Sequence, residues 1–267
     1  MSASRHGWRR WFFSGGPTAS LSNGQLAING LILGLIALGV FRFFLERSSL
    51  VWDWSALRPY WRLFLAGWQT SVILSLASLA LSLIFGLVLA LGRRSSFIPL
   101  RLFAQAYIEL IRGTPLLAQI YVFFYILAEA AHLENRYVAG TLVLSLFASA
   151  YLAEILRGGI ESVGQSQLES AKAIGLTPLQ TYRYVIFPQA LRAVLPPMAG
   201  QFVSLIKDSS LLSIIGLNEL TQNAKNVASY TFSNFESYLL LALGYLLLTL
   251  PISLWTRSLE KRLRYET

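Results

Sequence analysis

Residues 66–92 read AGWQTSVILSLASLALSLIFGLVLALG, a run without one charged side chain. A helix rises about 1.5 Å per residue, so about 20 apolar residues cross a hydrocarbon core of about 30 Å. This run is long enough to do so. Five more apolar stretches, 26–45, 115–131, 138–156, 194–216 and 237–256, bring the predicted spans to six. Backbone polar groups in lipid must pair inside the protein, and no alternating outer-membrane strand pattern is present, so each span is predicted to be helical. The expected fold class is an all-α membrane protein with six transmembrane helices.

Composition agrees. The chain is 55% hydrophobic and 13% charged, with mean hydropathy +0.54; a soluble domain would carry about twice that charge. The net charge of +9 would suggest nucleic acid on a soluble protein. In a membrane protein it reflects basic cytoplasmic loops, and no nucleic-acid partner is expected. There is no cysteine, which excludes disulfides, Cys-based zinc sites and thiol catalysis. His6 and His132 lack a metal-ligand pattern, so no metal is expected.

Arg9-Arg10-Trp11-Phe12-Phe13 faintly resembles a twin-arginine export signal. The apolar stretch starts well downstream, is long enough to span, and has no small-residue cleavage site after it. Residues 1–25 therefore read as a basic tail ahead of an anchor. On one side of the predicted membrane lie Arg5, Arg9 and Arg10; Arg93, Arg94 and Arg101; Arg157, Lys172, Arg183 and Arg192; and Arg257, Lys261, Arg262 and Arg264. The other side holds Arg47, Arg58, Arg62, Arg136 and Lys225, together with Glu46, Asp53, Glu129, Glu134, Glu219 and Glu236. The asymmetry places both termini, including the basic tail 257–267, in the cytoplasm.

The stretch 101–131 is too long for one upright span. Arg101, Gln105, Glu109 and Arg112 form a polar stripe, with Leu102, Phe103, Tyr107, Leu110 and Ile111 elsewhere on the helix. This predicts an amphipathic helix over 101–112 at the cytoplasmic interface; a long kinked helix is the alternative. Gly113-Thr114-Pro115 breaks it, with Thr114 as expected cap of a new helix and Pro115 at its first position.

From Arg157 to Ala193 runs a long loop with its own pattern. Ile160, Val163, Ala171 and Ile174 give a helix an apolar face, interleaved with Glu161, Gln165, Glu169 and Lys172. Gly175 fits a left-handed terminator. Thr177-Pro178-Leu179-Gln180 matches a capping box, and a second short helix follows until Pro188 interrupts it. The loop is expected to be a compact helix–turn–helix unit.

Glu169-Ser170-Ala171, then Gly175, then Val185-Ile186-Phe187-Pro188 resembles the EAA motif of ABC importer permeases: E-A-A, three residues, G, nine residues, I-x-L-P. All spacings fit; Ser170, Val185 and Phe187 depart in identity but keep size class or apolar character. The stretches 112–119, 151–160 and 207–212 are similar to permeases for histidine, glutamine, arginine and related amino acids. The resemblance covers about 66–256 and implies a five-helix type I importer core, to which the span 26–45 is an addition. It implies that 157–193 holds a coupling helix, with Glu169, Ser170, Ala171, Gly175, Thr177, Pro178, Val185 and Pro188 engaging an ATPase subunit. The implied partners are two copies of that ATPase, a second permease (identical or related) and a periplasmic amino-acid-binding protein, in a bacterial cytoplasmic (inner) membrane. ATP and Mg are expected on the ATPase subunit and no cofactor on this chain, which shows no G-x-x-x-x-G-K-[ST] loop and no nucleophile–base–acid set.

Ionisable side chains in lipid face protein or water. Asp208, Ser209 and Ser210 either line a route for a zwitterionic substrate or belong to a structural network, with Lys207 expected to neutralise a carboxylate on a neighbouring helix. Glu154 forms an i,i+3 pair with Arg157 or contacts a substrate amino group. Thr114 and Gln119 are further pathway candidates. The rival functions are a stand-alone secondary transporter, which would show an internal repeat, and a non-transporting membrane scaffold or sensor.

Overall fold

The structure, a computed structural model, describes Phe12 and residues 22–47 and 52–263. Most of the expected N-terminal tail 1–25 and the last residues of the C-terminal tail lie outside the described residues. The chain divides into two units, Met1–Trp52 and Asp53–Thr267. The first holds helix α1 (Asn23–Arg47). Over Asn23–Phe43 it is apolar, with no part buried inside the chain.

The described residues of the second unit form helices joined by short turns and loops. A 3-10 turn, Ser55–Tyr60, leads into α2 (Trp61–Arg93). There follow α3 (Ile98–Gly113), α4 (Leu116–Val122, with a π-helical continuation Phe123–Ala128) and α5 (Arg136–Glu161). Next come α6 (Gln165–Ala173), α7 (Pro178–Thr181), a π-helical turn Tyr182–Ile186, and α8 (Phe187–Asp208). A 3-10 segment Ser209–Ile215, then α9 (Leu220–Thr231) and α10 (Asn234–Leu263) complete the unit.

Four helical segments of the described residues are long and apolar enough to cross a bilayer: Asn23–Phe43, Ser55–Arg93, Arg136–Glu161 and Asn234–Lys261. A fifth exists if α3 and the α4 segment, bent at 112°, count as one span. The stretch 194–216 is not among them. Its helix carries Arg192, Lys207 and Asp208, ends at Asp208, and tightens into the 3-10 segment that stops on Gly216 at φ +68°.

α2 and α5 form the most extensive helix pair. Gly67, Ser71, Ser75, Ser78, Ser82, Gly86 and Ala90 recur along α2 at steps of three and four and are all buried. Small residues let helix backbones approach where lipid gives no hydrophobic drive between helices. The serine hydroxyls stay satisfied: Ser75 donates to the Ser71 carbonyl at 2.7 Å and Ser78 to Thr141 across the pair at 3.2 Å. Leu74, Leu116, Ile120, Leu144, Phe147, Leu205 and Leu212 close the core. Ile73, Ile84, Val88 and Leu91 face outward from α2, each more than half exposed, as lipid-facing side chains would be.

α5 and α8 also touch closely at Gly159. A Cβ there would stand 2.1 Å from Val194 Cγ2 and 3.1 Å from the Ala190 carbonyl, whereas at Gly158 it would meet nothing within 4 Å. Gly159→Ala is expected to cost about 1–3 kcal/mol through overpacking, read as a lowered unfolding temperature in detergent, while Gly158→Ala leaves that temperature in place.

Three local expectations change. The break at Gly113-Thr114-Pro115 is present, but Pro115 itself is the N-cap of α4. Thr114 turns back, its Oγ1 donating to the Leu110 carbonyl at 2.8 Å, because that carbonyl has no helical donor at the end of α3. Pro188 does not interrupt a helix. The π turn just before it widens the backbone, so a residue without an N–H is accommodated and α7 runs on into α8. The connection between α5 and that continuous helix is therefore shorter than 157–193, with Ile160 inside α5. Finally, α9 lies in a stretch where no helix was expected.

Candidate functional site

The turn after α5 carries α6, whose Gln165 donates to the Glu169 carboxylate at 3.2 Å. Glu169 and Ser170 point to solvent, while Ala171 is 2% exposed. The small size of Ala171 therefore serves packing within the chain rather than contact outside it. Gly175 ends α6 at φ +78°. Its N–H donates to the Lys172 carbonyl at 3.0 Å and the Leu176 N–H to the Ala171 carbonyl at 3.0 Å, a Schellman closure that needs the left-handed residue. Two residues on, Thr177 and Gln180 exchange both hydrogen bonds of a capping box at 2.9 and 3.3 Å and Pro178 opens α7.

The two closures back to back fix a sharp, rigid tip. Ile174, expected on the buried face, is 76% exposed, as is Leu179 on the other side of Gly175. Glu169, Ser170, Thr177, Pro178 and Pro188 are exposed and Val185 is half-buried. Tyr184 and Phe187 add exposed aromatic surface. Large apolar side chains thus stand bare on an ordered tip. The spacing of the motif gave the tip; the outward turn of Ile174 was not legible, since its period matched Ala171.

Glu154 is the hub of an ion cluster. Arg157 reaches it at 2.9 Å from the same helix, Arg112 at 3.3 Å from the end of α3, and Arg93 at hydrogen-bonding distance from the end of α2. Arg157 also bridges to Glu161, and Arg112 lies over the Tyr151 ring at 5.7 Å. The i,i+3 pair with Arg157 was visible in the sequence. Arg93 and Arg112 were not, being distant in the chain.

The other pathway candidates are dispersed. Gln119 spans the break between α3 and α4, its amide donating to the carbonyls of Ile111 at 2.7 Å and Thr114 at 3.1 Å and to Thr114 Oγ1 at 2.8 Å. Thr114 and Gln119 also line a cavity of about 360 Å³ with Tyr107, Val143 and Leu146. Ser209 is buried, its hydroxyl donating to the Ile206 carbonyl at 2.7 Å, and Ser210 and Asp208 are half-buried. Lys207 is exposed and makes no ion pair among the described residues. The expected neutralisation of a neighbouring carboxylate is absent among the described residues, because Lys207 is exposed. No hydrogen bond joins Asp208 to Glu154, Thr114 or Gln119.

One polar centre had no forerunner in the sequence reading. Glu219 is fully buried and caps α9, accepting from the N–H groups of Thr221 at 2.8 Å and Gln222 at 2.9 Å. Tyr245 of α10 donates to it at 2.8 Å, and Ser71 of α2 lies at 3.4 Å. Gly216, with Glu219 as an N-cap acceptor three residues on, was the available signal for a helix start.

The family described as the binding-protein-dependent transport system inner membrane component matches residues 82–265. The chain belongs to that family. This permease is 37% identical over 209 residues to the "Probable glutamine ABC transporter permease protein GlnM" of Bacillus subtilis, covering 78% of this chain and 97% of that one. It is 35% identical over 215 residues to the glutamine transport system permease protein GlnP of Escherichia coli K12, covering 79% and 98%. Among solved structures, an amino acid ABC transporter crystallised with histidines superposes with TM-score 0.76 at 35% identity, over 80% of this chain and all of that one. The permease is thus the membrane-spanning subunit of an ABC importer, a multi-pass inner-membrane component that works with an ATPase and a binding protein.

Proposed function

We propose that this permease translocates a polar amino acid, and that the tip at Gly175 seats in a groove of its ATPase subunit. The carrying observation is that tip: two backbone closures hold it rigid while Ile174 and Leu179 stand bare on either side. A rigid knob converts closure of a partner into a rigid-body push, and the continuous helix from α7 into α8 passes the push to the core. The substrate class follows from the named substrates of the relatives, two of them glutamine permeases. In this reading two ATPase copies carry ATP and Mg, a second permease completes the pore, and both termini face the cytoplasm. Glu154, already shared among three arginines, does not serve a substrate amino group. Asp208, Ser209 and Ser210 remain the pathway residues.

Gly175→Val forces a β-branched residue to positive φ and is expected to abolish co-purification of the ATPase and ATP-driven uptake together. Glu169→Lys is expected to weaken both. The measurement is uptake of a panel of labelled amino acids by proteoliposomes holding the permease, its ATPase and its binding protein. Full uptake by Gly175→Val removes the coupling role, and uptake of no amino acid by the wild type removes the substrate class.

A further inference from the structure

A second feature lies where α8 begins and α10 ends. Arg192, Pro196 and Pro197 on one wall and Arg257, Glu260 and Lys261 on the other line an open groove of about 570 Å³. On α10, Leu247, Leu250, Leu254, Arg257 and Lys261 follow one another at steps of three and four, which puts them on one helix face. The three leucines are 70%, 47% and 53% exposed. One strip thus passes from bare hydrocarbon to two cations. Trp255, also exposed, stands at the change, the position amphipathic rings take at a membrane–water interface. Neither Arg257 nor Lys261 is held in an ion pair among the described residues, and Glu260 is the one acid among the described lining residues.

We propose that this groove binds the headgroup of an anionic phospholipid: Arg257 and Lys261 take the phosphate, and the acyl chains lie along the leucine strip. A basic groove between spanning helices at the interface is suited to such a headgroup. A free phosphate ester would satisfy the cations but leave the leucines bare. A second copy of the chain would bring the same basic patch against itself across a two-fold axis, and like charges repel. The assignment rests on α10 spanning the bilayer, as in the proposed function.

The assembled transporter, purified in detergent, is incubated with phosphatidylglycerol or with phosphatidylcholine of the same chains, and retained lipid is read by native mass spectrometry. The wild type is expected to retain phosphatidylglycerol selectively. Each cation removed is expected to weaken retention about fivefold, so R257Q/K261Q binds roughly thirtyfold more weakly, while R257K/K261R retains the lipid. Wild-type retention that ignores headgroup charge, or unchanged retention by R257Q/K261Q, overturns the assignment. Displacement of the lipid by equimolar glycerol phosphate gives the groove to a soluble ester instead, and loss of the permease pair in R257Q/K261Q gives it to a subunit interface; either result also overturns it. ATP-driven uptake by the same wild-type preparation reports separately on the importer function, so failure of one is distinguishable from failure of the other.

Discussion

Glu154→Ala is expected to destabilise the permease by about 2–3 kcal/mol and to stop transport. The Glu154 side chain is 18% exposed, and it holds Arg93, Arg157 and Arg112, whose side chains are 27%, 34% and 44% exposed. Removing one partner of a buried pair costs about 3–5 kcal/mol, because the charge left behind is unpaired. Partial exposure of the guanidinium groups screens that penalty and brings it down. Here three like charges would face one another at the meeting point of α2, α3 and α5, so the helix ends should splay. Arg112→Ala removes the most exposed of the three and should cost less than about 1 kcal/mol. The check is a thermal unfolding series in detergent with a double-mutant cycle. Glu154→Ala should cost much less in an Arg93→Ala background than alone, since the two share one interaction. Strictly additive losses would show that the cluster is not a unit.

The second large effect belongs to Glu219. Glu219→Ala removes the cap of α9, worth about 1 kcal/mol, and takes away the 2.8 Å acceptor of the Tyr245 hydroxyl, which keeps only Thr221 Oγ1 at 3.1 Å; that costs about 1–3 kcal/mol more. A total loss of about 2–4 kcal/mol is expected, seen as a lowered unfolding temperature. Burial holds the Glu219 carboxyl above the ordinary glutamate range, outweighing the backbone N–H donors of Thr221 and Gln222 and the Tyr245 hydroxyl that favour its ionised form. A raised folded value means the fold prefers the neutral carboxyl. Its stabilising contribution is therefore complete below the unfolded glutamate pKa and is lost as pH rises through the folded value. Glu219→Gln keeps an acceptor for the cap without the charge. It should unfold at nearly the same temperature across that window, where the wild type declines; a parallel decline in both would assign the pH dependence to other groups.

Some of this molecule could be read directly from periodicity and spacing. The charge-free run 66–92 gave a helix long enough to span, and the described α2 contains it. Gly175 and the Thr177–Gln180 box are local devices whose partners lie within five residues, so residue type alone specified both closures. The same holds for Glu154 and Arg157 on one helix face.

What escaped has a common cause. Arg93 and Arg112 join Glu154, and Ser71 and Tyr245 join Glu219, only because separate helices pack side by side, and no local pattern encodes which helix ends meet. Pro188 misled for a related reason: in isolation it breaks a helix, but a π turn supplied by the preceding residues absorbs the missing donor. The direction of Ile174 was likewise undetermined, since helical period fixes which residues share a face and not which way that face points. The sequence alone determined the membrane class, most of the spanning segments and the sharp tip at Gly175, because these depend on interactions within a turn or on length in a uniform solvent. Tertiary structure decided the ion cluster, the buried Glu219 cap and the basic groove, because each needs charges from distant segments brought within a few ångströms, where burial rather than residue type sets what they do.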